Sequence, residues 1–411
     1  MVGLLWVVAA LNYLDRLMIA SMREPIRDSI PMSDAQFGLL TAVFLWSYGI
    51  LSPLGGYLGD RFSRTKMICG SLLVWSVVTA LCGCARTYGE LLTLRAVMGV
   101  SEAFYIPAAL ALISDYHRGS TRSLATGIHM SGIYMGAALG GIGGFMAEWM
   151  GWRHGFLVFG AVGIGYFLLL NTFLKDASPA PIPSAARREP LSFPAALKVL
   201  GSSTGFWIIF AVNALVGTTN WCVNGWLPTY MQEHFRLSLG VAGLSATGYI
   251  QAAAFPGVLI GGYFADRWSR THSGGRFLVT ALGFAVAAPC LLLASSTSLL
   301  LLAIGALIIY GFWRSFIDAN LMPILRQLVD ERYSATGYGI LNFSGCMIGG
   351  AMIYVGGLLR DASIDIAIIF QSLAVGLLLV SATLFFVGRH LGRRDRQPRL
   401  APVDLILSDH P

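Results

Sequence analysis

Six ionisable residues stand inside long apolar stretches of this 411-residue chain: Asp15, Arg16, Arg95, Glu102, Arg314 and Asp318. A charged side chain at the centre of a bilayer costs at least about 2.5–3.5 kcal/mol, so such groups are normally paired, turned to a water-filled cavity or functional. Three are acidic and three basic, as a paired network requires. Arg95 and Glu102 are seven residues apart, two helical turns, which puts them on one helix face about 10 Å apart along the axis. Arg314 and Asp318 are four apart and can pair directly. The chemistry open to such a set is movement of a proton and recognition of an anion. A buried carboxyl exchanges its proton as burial and a neighbouring arginine act on it in opposite directions. An arginine presents a fork of donors that fits a carboxylate. The bland alternative is a salt-bridge network that only holds two parts of the fold together.

The elements that position these residues are long and apolar. The chain is 55% hydrophobic and only 12% charged, about half the charge usual for a soluble domain. The deficit is concentrated in stretches such as Leu39 to Gly59, Gly155 to Leu174, Leu278 to Tyr310 and Ala367 to Gly388, each long enough to cross a bilayer. The runs predict an all-α membrane protein with twelve helices, α1 to α12, near 2–24, 35–58, 66–84, 89–113, 122–147, 154–174, 203–226, 241–264, 276–295, 299–325, 334–358 and 365–387. The six cysteines all fall in predicted spans without metal-type spacing and are read as packing residues. Asn12, Asp15 and Arg16 interrupt the first run, which the core of a cleavable signal would not tolerate.

With both termini on one side, that side carries nineteen Lys and Arg, the other carries six, and Arg16, Arg95 and Arg314 lie within spans. The positive-inside rule makes the richer side cytoplasmic. The net charge of +7 is therefore a topology signal, and no nucleic-acid partner is expected. Residues 176–200 contain a proline-rich stretch of mixed charge and read as a cytoplasmic loop between bundles at 1–175 and 201–388, followed by a cytoplasmic tail at 389–411. Across that loop the chain repeats. Gly56-Tyr57-Leu58-Gly59-Asp60-Arg61-Phe62-Ser63-Arg64 returns as Gly262-Tyr263-Phe264-Ala265-Asp266-Arg267-Trp268-Ser269-Arg270. Glu102-Ala103 with Pro107 returns as Asp318-Ala319 with Pro323, and Ala125-Thr126-Gly127 as Ala335-Thr336-Gly337. Two matching six-helix bundles around a cavity are the plan of a transporter.

The doubled GYLGDRFSR and GYFADRWSR runs resemble the loop signature of the major facilitator superfamily. Asn12-Tyr13-Leu14-Asp15-Arg16 and Arg95 with Gly99 and Glu102-Ala103 resemble the organic anion:cation symporters and the spinster-like transporters. The resemblance implies the major facilitator fold, with α1, α4, α7 and α10 lining the cavity. It implies proton coupling at Asp15 and Glu102 and anion recognition at Arg16; Arg95, on the same helix face as Glu102, is expected to modulate that carboxyl. It also implies a cytoplasmic gate at Asp60, Arg61, Arg64, Asp266, Arg267 and Arg270. Tyr48 sits where the organic-anion group places a ligand tyrosine.

Further substrate-binding candidates are Tyr13, Asn220, Asn224, Arg314, Asp318, Asn320 and Asn342, polar residues on the expected cavity helices. Five glycines spaced along α5, from Gly127 to Gly144, are read as a close helix crossing. None of the three lysines follows a glycine, so no phosphate-binding loop of the ATPase type is present. Gly201-Ser202-Ser203-Thr204-Gly205 fits a hydrolase pattern, but no strand precedes it, and no enzyme activity, cofactor or metal is expected. The first reading is a proton-coupled symporter of a small organic anion, a carboxylate or sugar acid, working as a monomer in the cell inner membrane. The alternatives are a spinster-like carrier of lysolipid or another amphiphile, and a non-transporting membrane sensor.

Overall fold

The computed structural model describes residues 1–59, 61–117, 121–177, 193–330 and 333–394. Every regular element among them is a helix. Eleven are long and apolar enough to cross a membrane, and a twelfth crossing is a pair of helices bent by 40°. The crossings are α1 Val2–Ser29, α2 Asp34–Gly59, α3 Arg64–Cys84, α4 Tyr88–Tyr116, α5 Arg122–Leu139 with Ile142–Met150, and α6 Trp152–Phe173. The second six are α7 Thr204–Phe235, α8 Leu239–Ser269, α9 Gly275–Ala294, α10 Leu300–Leu328, α11 Ser334–Asp361 and α12 Ile366–Arg394. Twelve crossings put both ends of the chain on one side, called here the terminal end.

Local chemistry sets the starts. Ser63 accepts the Lys66 amide at the head of α3, Thr87 and Glu90 form a reciprocal capping box on α4, and Ser203 accepts the Phe206 amide on α7. Each satisfies donors that the first turn leaves orphaned. The turn into α6 passes through Gly151 at φ 83°, a conformation that glycine alone adopts freely.

Three expectations about extent change. The span expected near 203–226 runs on to Phe235 as α7, with Pro228 inside it. Proline ends helices in water, but neighbouring groups accommodate it in a bundle. Residues 193–200, expected as loop, belong to a short helix, Phe193–Gly201. The last span continues to Arg394, into the expected tail. The rest of the expected loop, 178–192, and of the tail, 395–411, lies outside the described residues.

Small residues bring the helices together. Carbons added at Gly132, Gly136 and Gly140 would meet Trp6, Ala10 and Leu17 of α1, while one at Gly144 would meet Leu239 of α8. The stripe on α5 thus serves two partners, one in its own half and one across the molecule. Between α5 and α8, Gly141 faces Gly243, where an added carbon would lie 2.5 Å from the opposite backbone.

Three of the helix interruptions lie beside a charged residue. The first segment of α1 ends at Leu17, next to Arg16, and tightens into a 3₁₀ turn over Met18–Met22. The first segment of α4 ends on Glu102, and that of α10 on Arg314. Broken helices at this depth expose polar backbone that only a cavity or a buried partner can satisfy.

Candidate functional site

A cavity of about 200 Å³ lies between the halves. Its walls are Tyr13 and Arg16 of α1, Tyr48 of α2, Asn213, Asn220 and Trp221 of α7, Arg314, Asp318 and Leu321 of α10, and Tyr338, Asn342 and Cys346 of α11. A larger groove between α2, α3 and α4 faces outward through exposed Val74, Val97 and Val100 and is lipid-facing surface.

On the first half, Arg16 is 2% exposed and donates from Nη2 to Glu102 Oε2 at 2.9 Å and to Asn12 Oδ1 at 3.2 Å. Its guanidinium lies 4.5 Å from the Tyr13 ring centre, 4.6 Å from Tyr48 and 5.0 Å from Phe44. Three electron-rich faces and one carboxylate thus compensate a cation with almost no water. Glu102 keeps its second oxygen, Oε1, without a partner. Arg95 does not pair with Glu102, although the two share a helix. It reaches the interruption in α1, donating to the Arg16 carbonyl and to the Leu40 carbonyl at 3.4 Å each. The cation there meets the negative end of a helix segment.

Asp15 faces the other way. One residue on a helix turns about 100°, so with Arg16 directed to the cavity Asp15 points at α3. It is 1% exposed, its Oδ2 accepts from Thr79 at 3.4 Å, and Oδ1 has no partner. Neither Asp15 nor Glu102 lines the cavity; Arg16 stands between Glu102 and the open space.

On the second half, Arg314 donates to Asp318 Oδ2 at 3.1 Å and to Asn220 Oδ1 at 3.2 Å. Asp318 also accepts from Tyr134 of α5 at 3.0 Å, a bond that joins the halves. Asn342 lines the cavity, whereas Asn224 donates to Asn220 and Asn320 donates to the Phe316 carbonyl. His129 is buried against the Tyr105 hydroxyl at 2.9 Å, away from the cavity.

The two ends of the molecule differ. Away from the terminal end, Arg23 pairs with Asp34 in its own half and with Glu233 across it at 3.1 Å. Arg360 of α11 bonds Asp34 at 3.0 Å and Glu233 at 2.8 Å, and Arg27 adds a 3.0 Å bond to Asp34. The Asp361 carboxylate accepts the backbone amides of Asp34 and Ala35 at 2.8 and 3.0 Å, capping α2 from the opposite half. At the terminal end, among the described residues, Arg64 pairs with Asp115 and Arg276 with Asp266 at 2.6 Å, each within its own half. Arg61 lies over the Tyr57 ring at 4.5 Å, and Arg267 and Arg270 are exposed. Asp60 lies outside the described residues. Among the described residues no three metal-ligating side chains gather to hold an ion.

The sequence model of the Major Facilitator Superfamily matches residues 5–354. The chain belongs to the Major Facilitator Superfamily. It is a multi-pass membrane transporter of that family rather than an enzyme. It is 25% identical to a probable sulfoacetate transporter, SauU, of Cupriavidus necator over 91% of this chain and 90% of that protein. It is 27% identical to a probable L-galactonate transporter of Escherichia coli over 88% and 82%. It is 30% identical to human protein spinster homolog 1 over 58% and 46%. A solved structure of a bacterial homolog to the human lysosomal transporter Spinster, inward-facing and unoccupied, has the same fold, with a TM-score of 0.77 at 20% identity over 96% of this chain and 97% of that one. The resemblance drawn from the two loop runs and the α1 and α4 motifs thus holds for both groups of relatives.

Sequence reasoning missed Tyr134, Asn213, Tyr338 and Cys346 as groups of this site. Tyr134 was obscured by the glycines around it, though a hydroxyl between Gly132 and Gly136 has close backbone on both sides and little else to bond. It also missed the cluster of Arg23, Asp34, Glu233 and Arg360, whose charges count as loop residues in a topology tally.

Proposed function

We propose that this transporter carries a small organic anion together with a proton, by alternating access across the inner membrane with both termini in the cytoplasm. The observation that carries the reading is the cavity itself, in which each half contributes one arginine, Arg16 and Arg314, each already facing a carboxylate. An anion entering there meets two guanidinium groups that are each already neutralised, so it adds one negative charge, which a co-transported proton balances. At about 200 Å³ the space is below the usual range for drug-sized ligands, which suits a short carboxylate or sugar acid and not an acyl chain. Two of the relatives are named for organic acids, which agrees.

In this reading Glu102 and Asp15 take up the proton. Each has one buried oxygen without a partner, and a buried unpaired charge carries a cost that a proton removes. Arg95 secures the broken end of α1 beside them. Tyr13, Tyr48, Asn220 and Asn342 orient the anion, while Asn224 and Asn320 support from behind. The orientation rests on the excess of basic residues at the terminal end. Given that orientation, the ion network of Arg23, Asp34, Glu233 and Arg360 closes the outer mouth, the cavity serves the cytoplasm, and the residues from Arg61 to Arg64 and Asp266 to Arg270 form the opposite gate.

The experiment is uptake into proteoliposomes under an imposed pH gradient, with a panel of galactonate, sulfoacetate, pyruvate and lysophosphatidylcholine. The wild type accumulates an acid and not the lysolipid. Glu102→Gln and Asp15→Asn lose gradient-driven accumulation and keep counterflow exchange. Accumulation of substrate by both variants, as in the wild type, overturns the proton assignment; lysolipid movement overturns the substrate class.

A further inference from the structure

Asp318 occupies the position that an incoming carboxylate would take. Its Oδ2 is shared between Arg314 of its own half and Tyr134 of the other, at 3.1 and 3.0 Å. Its side chain is 34% exposed whereas that of Arg314 is only 8%. The arginine is fixed, with Asn220 on its other nitrogen, and the acid is the mobile partner. We infer that Asp318 is an internal stand-in for the transported anion, which the substrate displaces from Arg314 and which then takes a proton, with Tyr134 as the latch holding it in place. This rests on the reading of the chain as a symporter of organic anions.

The charge balance explains why a proton follows. Before binding, Arg314 and Asp318 sum to zero. When a substrate carboxylate takes Arg314, an ionised Asp318 would be a second anion in a cavity of about 200 Å³, beside a cation that now has another partner. One proton from the water of the open side, forming an O–H bond on Asp318, restores the sum. No other bond changes. The groups facing Asp318 are Arg314 and Tyr310 on its own helix, Tyr134 from α5, Tyr13 from α1 and Tyr338 from α11, with the amide Asn220 from α7 beside Arg314. From α8 and α9 come glycines, Gly261, Gly262 and Gly283, against Phe316 and Ala319. Among the described residues Asp318 pairs with Arg314, and the substrate competes for that arginine.

The test measures protons taken up per anion bound, by calorimetry of the purified full-length protein in buffers of different ionisation enthalpy, with galactonate and sulfoacetate as probes. Asp318→Asn lowers the ratio by one proton per anion, Asp318→Glu restores it, and Glu102→Gln keeps the proton linked to Asp318. Tyr134→Phe leaves the ratio unchanged and lowers Kd several-fold, because the stand-in is held less firmly; a merely structural tyrosine would leave Kd unchanged or raise it. An Asp318→Asn protein that binds with the full wild-type ratio overturns the inference while leaving the symport reading intact. If Asp318→Asn does not fold, the Kd of Tyr134→Phe decides: a value at or above wild type overturns the inference. A wild type that takes up no proton with either acid overturns both readings together.

Discussion

Arg360, on the last turn of α11, donates its Nε to Asp34 Oδ2 on the first turn of α2 at 3.0 Å, so one half of the transporter holds the entrance helix of the other. Around that bond lie Arg23, Arg27 and Glu233. Arg360→Ala removes a partner shared by two acids and is expected to cost the closure of this end about 1–2 kcal/mol, a shift of roughly 5- to 30-fold toward the form open at this end. A cysteine at Ala42, buried where α2 meets α11, reports this in a background lacking the six native cysteines. Its alkylation rate rises by that factor in Arg360→Ala; an unchanged rate refutes the lock.

Backbone contact at Gly141 and Gly243 leads to a second prediction. A side chain at either position has no room while α5 and α8 touch. Gly141→Val therefore accelerates alkylation of the same Ala42→Cys reporter. Because the two sites are distinct, its effect adds to that of Arg360→Ala.

Arg16 and Glu102 stabilise the fold only as a pair. Removing the cation leaves a buried carboxylate uncompensated, a loss of about 3–5 kcal/mol. Arg16→Ala should lower the melting temperature in detergent sharply, and Arg16→Ala with Glu102→Gln should recover most of it without recovering transport. Arg16→Lys keeps the charge but not the planar fork stacked on three rings, so transport falls further than stability. Equal melting temperatures for the single and double variants contradict this account.

Asp176, beyond the end of α6, gives a pH prediction. Burial alone pushes its carboxyl up, but bonds from the Ser63 hydroxyl and the Thr65 amide, with Arg64 nearby, hold it below its ordinary value. A depressed carboxyl stabilises above its unfolded value and loses that contribution as pH falls through the folded one. Asp176→Asn should thus lower the melting temperature by an amount constant from about pH 5 to 8 and vanishing only in acid below the ordinary carboxylate range. A difference that changes near neutrality points to another group.

Much of this was legible in the sequence, because hydrophobic length and basic asymmetry are written residue by residue. So were the doubled motifs around Asp60 and Asp266, and the pairing of Arg314 with Asp318 follows from spacing alone. The pairing of Arg16 was not, because periodicity gives the face of a helix and not which of two nearby arginines reaches across to Glu102. The outer cluster escaped for a similar reason: Asp34, Glu233 and Arg360 lie far apart in the chain, and only the packing of α2 on α11 and the unexpected length of α7 bring them together.

The cap on α2 has its own consequence. The amides of Asp34 and Ala35 are satisfied by Asp361, which belongs to the opposite half. When the two halves part at this end, those donors lose their acceptor and must turn to water. Each turnover thus uncovers the head of one helix, and hydrogen–deuterium exchange at these two amides becomes a clock for the transport cycle, readable without any label on the protein.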